Sequence, residues 1–290
     1  MNEPRDDQAT HIDVYVPLEE RPLLVASDLH SPRRRRIVMP VFLFVATCVS
    51  TFLVGAMNWM PNSAETFQSG VLLLHNWQNG LFYMLAVIGI LLTHEMGHFL
   101  QAVRYRVPAS LPYFIPLPIL FTGTMGAVIS MEGSKANRMQ LFDIGISGPL
   151  AGLVVAIPSM VWGILTGEPA SPREAGSWHL NYPLIIKLMI VWLRPELPFG
   201  SEMIMNPLLM AGWVGMLITG LNMMPVSQLD GGHVIYGLFG KRAHLVARGF
   251  VCAVVAAMVY FNNYNWLLMF ALVLFIGVDH PPTRDDNVKL

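Results

Sequence analysis

His94-Glu95-Met96-Gly97-His98 places two imidazoles four residues apart with a carboxylate beside the first. On a helix that spacing corresponds to about 6 Å of rise and about 40° of rotation, so both rings face one way and can share a metal ion. Glu95 projects about 100° from His94, next to the metal rather than onto it. Neutral imidazole suits zinc, which lowers the pKa of a bound water towards about 7 and leaves the glutamate to serve as general base. The motif closes an apolar run from Leu81 to Thr93 that reads as a membrane helix. Ionisable groups at such depth cost on the order of 2–3 kcal/mol or more each, and so mark functional sites.

Two histidines leave a catalytic zinc short of one protein ligand. Asp230 fills that place best, in Asn222-Met223-Met224-Pro225-Val226-Ser227-Gln228-Leu229-Asp230-Gly231-Gly232. Pro225 breaks the preceding helix, and Gly231-Gly232 permits a tight turn that aims the carboxylate inward. Alone, Asp-Gly-Gly is an ordinary turn; the depth and face shared with the histidine pair favour a ligand. His233 competes as a ligand, and Glu132 does so more weakly because it precedes a polar Gly133-Ser134-Lys135 turn. Asn222 either bonds a neighbouring helix or, as a catalytic residue, holds a substrate strand or stabilises an oxyanion. Gly145-Ile146-Ser147-Gly148-Pro149-Leu150-Ala151-Gly152 is a small-residue stretch whose natural role is close helix packing. His11, His30, His75, His179, His244 and His280 are isolated, and Cys48 and Cys252 sit in separate apolar runs without ligand spacing, as packing residues.

The elements that must position these groups belong to a membrane. The 290 residues are 54% apolar and only 13% charged, with a mean hydropathy of +0.50, values of the multi-span class. Arg33 to Arg36 directly precede an apolar segment and act as a topological anchor, not a nucleic-acid patch. No cleavable leader is expected, since charged stretches such as Arg5-Asp6-Asp7 interrupt the amino terminus.

An all-α polytopic membrane protein of about six crossings is therefore expected, both termini cytosolic. Residues 1–36 form a cytosolic tail, 37–280 the membrane-embedded domain and 281–290 a second tail. The spans are about Ile37 to Met57, Gly80 to Val103, Leu141 to Leu165, Met203 to Met224, Ala247 to Tyr260 and Trp266 to Val278, the last two joined at Asn262-Asn263-Tyr264-Asn265. Lys241, Arg242 and Arg248 mark a cytosolic loop, and Leu184 to Leu193 an interfacial helix. Between the second and third spans, Pro108, Pro112, Pro116 and Pro118 break any helix, while Gly123 to Ile129 favours extended backbone. Lipid does not tolerate exposed non-helical backbone, so this segment is read as re-entrant, either a loop or a small β element.

Together these motifs resemble the site-2 protease family of intramembrane zinc metalloproteases. The match rests on His94-Glu95-x-x-His98, on Gly145-x-Ser147-Gly148-Pro149 and on Asn222-x-x-Pro225-x-x-x-Leu229-Asp230-Gly231-Gly232, with Gly123 to Ile129 and His280-Pro281-Pro282 as weaker support. The resemblance implies one Zn2+ per chain held by His94, His98 and Asp230, with Glu95 as base. It also implies that the re-entrant segment offers an extended edge to a single-span membrane substrate. A compact form lacking the PDZ or CBS domain of many relatives is expected, in a bilayer that is the bacterial inner membrane. A zinc-binding transporter or sensor is the alternative, but neither needs a glutamate beside the first histidine. A CAAX-type prenyl-protein peptidase would need a glutamate-rich ligand set, which is not found. Oligomeric state has no sequence signal.

Overall fold

The computed structural model describes residues 37–59, 75–170 and 182–262, with isolated positions from 264 to 285. The expected amino-terminal tail, most of the sixth span from Trp266 to Val278, and His11, His30, His179 and His280 lie outside the described residues. Helix α1 runs Val38–Ala56 and α2 runs Trp77–Arg104. Both stop without a proline, through left-handed residues just beyond their ends. Asn58 and Trp59 (φ 49° and 62°) turn the chain after α1, and Arg106 (φ 56°) after α2. The Trp59 and Val107 amides reach back to the Val54 and Ala102 carbonyls, each over 2.9 Å, and satisfy helix-end acceptors.

The proline-rich segment forms an antiparallel hairpin, β1 (Tyr113–Leu117) and β2 (Gly123–Val128), with Tyr113 opposite Val128 and a bulge between Phe114 and Pro116. Ile115 leaves the ladder there, and its carbonyl accepts from the Thr124 hydroxyl over 2.9 Å. Two buried bonds pin the turn end: the Ser50 hydroxyl of α1 donates to the Gly123 carbonyl over 2.6 Å, and the Tyr83 hydroxyl of α2 to the Thr122 carbonyl over 2.8 Å. Gly123 is needed on two counts. Its φ of +72° is left-handed, and a Cβ there would lie 2.9 Å from Thr51 Cα. The extended backbone expected here is thus a two-stranded sheet, and among the described residues β2 pairs along one edge alone.

Helix α3, Arg138–Thr166, opens with a capping box in which the Asn137 side chain accepts from the Gln140 amide and the Gln140 side chain from the Asn137 amide. The Leu184–Leu193 helix (α4) has the expected bounds, and α5 covers Pro207–Asn222. Helix α6, Asp230–Phe239, passes through a short 3₁₀ turn, Gly240–Arg242, into α7, Ala243–Tyr260. Lys241 and Arg242 therefore occupy a tight helical turn instead of the expected open loop. Arg138 caps the end of α6 by donating to the Gly237 and Leu238 carbonyls.

Four helical stretches are long and apolar enough to cross a membrane: Val38–Ala56, Trp77–Arg104, Arg138–Thr166 and Asp230–Tyr260. The segment expected as a span from Met203 to Met224 is a shorter helix of 16 residues, about 24 Å of rise against a hydrocarbon core of about 30 Å. Its start is set by Asn206, which caps the Leu209 amide at 3.0 Å, and by Pro207 at the first helical position. Upstream, Met203 bridges to Pro169 in extended form. The core lies where α1, α2, α3, α5 and the hairpin meet, around Tyr83, Val87, Ile90, Phe114, Ala156 and Val214.

Candidate metal centre

His94 and His98 lie in the second half of α2 and are only 3% and 4% exposed, with Glu95 between them at 3%. Asp230 is the first residue of α6. The three side chains converge: His94 Nε2 is 3.1 Å from Asp230 Oδ2, His98 Nε2 is 3.2 Å from Asp230 Oδ1, and the two Nε2 atoms are 3.2 Å apart. Ligands about 2.0–2.1 Å from a tetrahedral zinc lie about 3.3 Å from one another, so this triangle of two imidazoles and a carboxylate fits that ion. Among the described residues, this is the group of His, Cys, Asp and Glu whose donor atoms fall together in this way.

Helix α3 makes room for the pair. A Cβ on Gly148 would lie 2.0 Å from His98 Nε2, and one on Gly152 would lie 3.1 Å from His94 Cβ. Gly97 does the same from α2, since a Cβ there would meet the Ser147 carbonyl at 2.6 Å. The Ile144 carbonyl is 2.7 Å from His98 Nδ1. That bond puts the proton on Nδ1 and leaves the Nε2 lone pair for a metal. The Ser147 hydroxyl donates to the Gly97 carbonyl at 3.1 Å and the Ile144 carbonyl at 2.8 Å, tying the two helices at the level of the site.

Asp230 is set by the link after α5. Met223 caps that helix, Pro225 prevents its continuation, and Ser227 is buried in a left-handed conformation (φ 53°). The glycines that follow do not form the expected tight turn. They lie in the first turn of α6, where a Cβ on Gly231 would be 2.1 Å from the Met223 carbonyl oxygen and one on Gly232 would be 2.3 Å from that of Ser227. Their service is close approach, letting α6 start directly on the loop that precedes it.

A cleft of about 100 Å³ opens onto the His98 and Asp230 side of the triangle, with Glu95, His98, Asn222, Gln228, Asp230 and His233 as its polar lining. Ala127, Val128 and Ile129, from the end of β2 and just past it, form part of the apolar wall, and the Ile129 amide hydrogen-bonds the Glu95 carboxyl. Asn222 thus faces the same space as Glu95, while His233 lines the cleft but stands outside the donor triangle. Glu132 pairs with Lys135 at the exposed surface, away from these groups. Cys48 and Cys252 are free thiols.

Residues 82–262 match Peptidase family M50. The chain belongs to that family. This is the site-2 protease family whose motifs the sequence carries. The "Probable zinc metalloprotease EGY1, chloroplastic" of Arabidopsis thaliana is 36% identical over 165 residues, 54% of this chain and 29% of that protein. Its namesake from Oryza sativa subsp. japonica is 31% identical over 224 residues, 71% of this chain and 38% of the relative. The "Probable zinc metalloprotease EGY2, chloroplastic" of Arabidopsis thaliana is 27% identical over 269 residues, 87% of this chain and 46% of the relative. The chain therefore spans less than half the length of each of these M50 relatives. No solved structure matches it. With its apolar helices, M50 membership makes it a membrane protein.

The small-residue stretch of α3 was legible as packing, but its service to the site was not. Gly145, Gly148 and Gly152 recur at helical spacing on one face, and that face is the one turned to the ligand-bearing elements.

Proposed function

We propose that the protein is an intramembrane zinc endopeptidase that cleaves the transmembrane segments of single-span membrane proteins. The observation that carries this reading is the donor triangle of His94, His98 and Asp230, with His98, Asp230 and Glu95 lining one cleft walled by the end of β2. His94, His98 and Asp230 hold one Zn2+ per chain, an ion that when bound acts as Lewis acid and activates water for attack on a peptide carbonyl. Glu95 takes the proton of the attacking water and returns it to the leaving amine. The Ile129 amide orients the Glu95 carboxyl while it does so. Asn222, which lines the cleft and whose amide both donates and accepts, binds the substrate backbone.

A helix must lose its internal hydrogen bonds before its carbonyls can be attacked. The edge of β2 that has no strand partner among the described residues offsets part of that loss by accepting the unwound substrate as an added strand. The hairpin is re-entrant in this reading, and residues 37–280 form one membrane domain of about six crossings, α5 crossing together with the extended residues before it, with 1–36 and 281–290 as tails on the cytosolic side. Arg33 to Arg36, Arg104, Arg106, Lys135, Arg138, Lys241 and Arg242 mark that side, near which the site lies. A bacterial inner membrane has no support from the relatives, which are named as chloroplastic. A transporter or sensor would explain the donors but gives Glu95 no task.

The test compares membrane proteomes of cells carrying the wild-type chain or Glu95→Gln. Fragments ending within transmembrane segments are expected with the wild type and absent with the variant; identical fragment sets would refute proteolysis by this site.

A further inference from the structure

We propose that His233 is a catalytic residue, the hydrogen-bond donor to the carbonyl oxygen of the substrate as it becomes an oxyanion. The inference rests on the endopeptidase reading and adds to it a group that neither the metal triangle nor the base supplies. When the water oxygen bonds to the carbonyl carbon, the C=O π pair moves onto oxygen and the water proton goes to Glu95. That proton later reaches the amide nitrogen as the C–N bond breaks and the carbonyl re-forms. The negative charge needs a fixed donor in a site with little water, where one such donor contributes about 10²- to 10³-fold in kcat.

The cleft holds few groups that can meet this need. Glu95 as base accepts, and His98 and Asp230 turn their free atoms to the metal triangle. Of the remaining polar lining residues, Gln228 is exposed, while Asn222 ends α5 and presents an amide suited to a strand backbone. His233 is half-buried and lies one helical turn after Asp230, so both side chains leave the same face of α6.

Its backbone is fixed. The His233 amide bonds to the Leu229 carbonyl at 3.0 Å, and Gly231 and Gly232 press the start of α6 onto the preceding loop. Opposite, α3 presents Gly145, where a Cβ would stand 3.0 Å from His233 Cβ and 3.1 Å from the Asp230 carbonyl oxygen. Helix α3 thus lacks a side chain just where the imidazole leaves its helix, and the ring enters the cleft from a rigid base. The neutral ring carries one N–H and the charged ring two, so the role requires the proton on the nitrogen that meets the substrate oxygen.

The test uses the full chain in lipid nanodiscs with zinc, a synthetic single-span peptide as substrate and a phosphinic peptide as mimic of the tetrahedral state. For His233→Ala we expect kcat lower by about 10²- to 10³-fold, KM unchanged within about twofold, zinc still at one per chain and an unchanged thermal midpoint. The phosphinic peptide should bind more weakly by a similar factor, and His233→Gln, which keeps an N–H donor, should recover part of both losses. Unchanged kcat and phosphinic affinity in His233→Ala would overturn the proposal, as would loss of zinc from both variants or a change confined to KM. If the wild type neither cleaves the peptide nor binds the mimic, the endopeptidase reading itself fails and this role with it.

Discussion

At the scale of single residues, the site depends as much on atoms that are missing as on those that bind. His94 and His98 can lie side by side because α3 offers them Gly152 and Gly148. A methyl group on Gly148 would occupy the position of His98 Nε2, 2.0 Å away, and the ring cannot withdraw without breaking its bond to the Ile144 carbonyl. Gly148→Ala is therefore expected to lower zinc affinity by about 10- to 100-fold or more, in the range of changes that disturb a ligand's support. Competition with a chromophoric chelator measures it. Gly152→Ala, with 3.1 Å to His94 Cβ, should do less. The histidine pair was legible as candidate metal donors because its residue types and spacing are those of metal chemistry, and Asp230 because its place in a later apolar segment suggested the depth and face of that pair. Gly148 and Gly152 were not, because a small residue records no partner and the same string serves any close helix pair.

At the scale of elements, the hairpin is the part that departs from a bundle of helices. Prolines and glycines announced that Pro108 to Asn137 would not be helical and would in part be extended, but not which residues pair. Strand pairing, the bulge at Ile115 and the grip of α1 and α2 depend on long-range contacts, such as the one between Ser50 and Gly123. Those contacts make the hairpin a fixed wall of the cleft. Ser50→Ala and Tyr83→Phe each leave a carbonyl of the turn without its buried donor, a loss of about 1–3 kcal/mol. Faster hydrogen exchange across residues 113–128, with zinc content unchanged, is the expected result; loss of zinc in either variant would mean that the hairpin supports the ligands themselves. The links around α5 show the opposite case. Asn206, Pro207 and Pro225 are local signals, and they place its ends well. Hydropathy alone stretched the same segment into a full span, because apolar residues in an extended bridge look no different from apolar residues in a helix.

At the scale of the whole molecule, the arrangement joins distant parts of the chain at one site. His94 and Asp230 are 136 residues apart in sequence, and α3 fills the space between their helices. Hydropathy and basic flanks made the three long spans α1, α2 and α3 legible, whereas the near-continuity of α6 and α7 was hidden by Lys241 and Arg242, whose charges read as a loop although the backbone stays helical. The proposed function gives the donor triangle and Glu95 separate duties, and the most direct test separates them. Zinc content and cleavage of a synthetic single-span peptide are measured on the same purified Glu95→Gln sample in nanodiscs, beside the wild type. One zinc per chain with cleavage abolished is the predicted result; an active Glu95→Gln protein would contradict the assignment of the base.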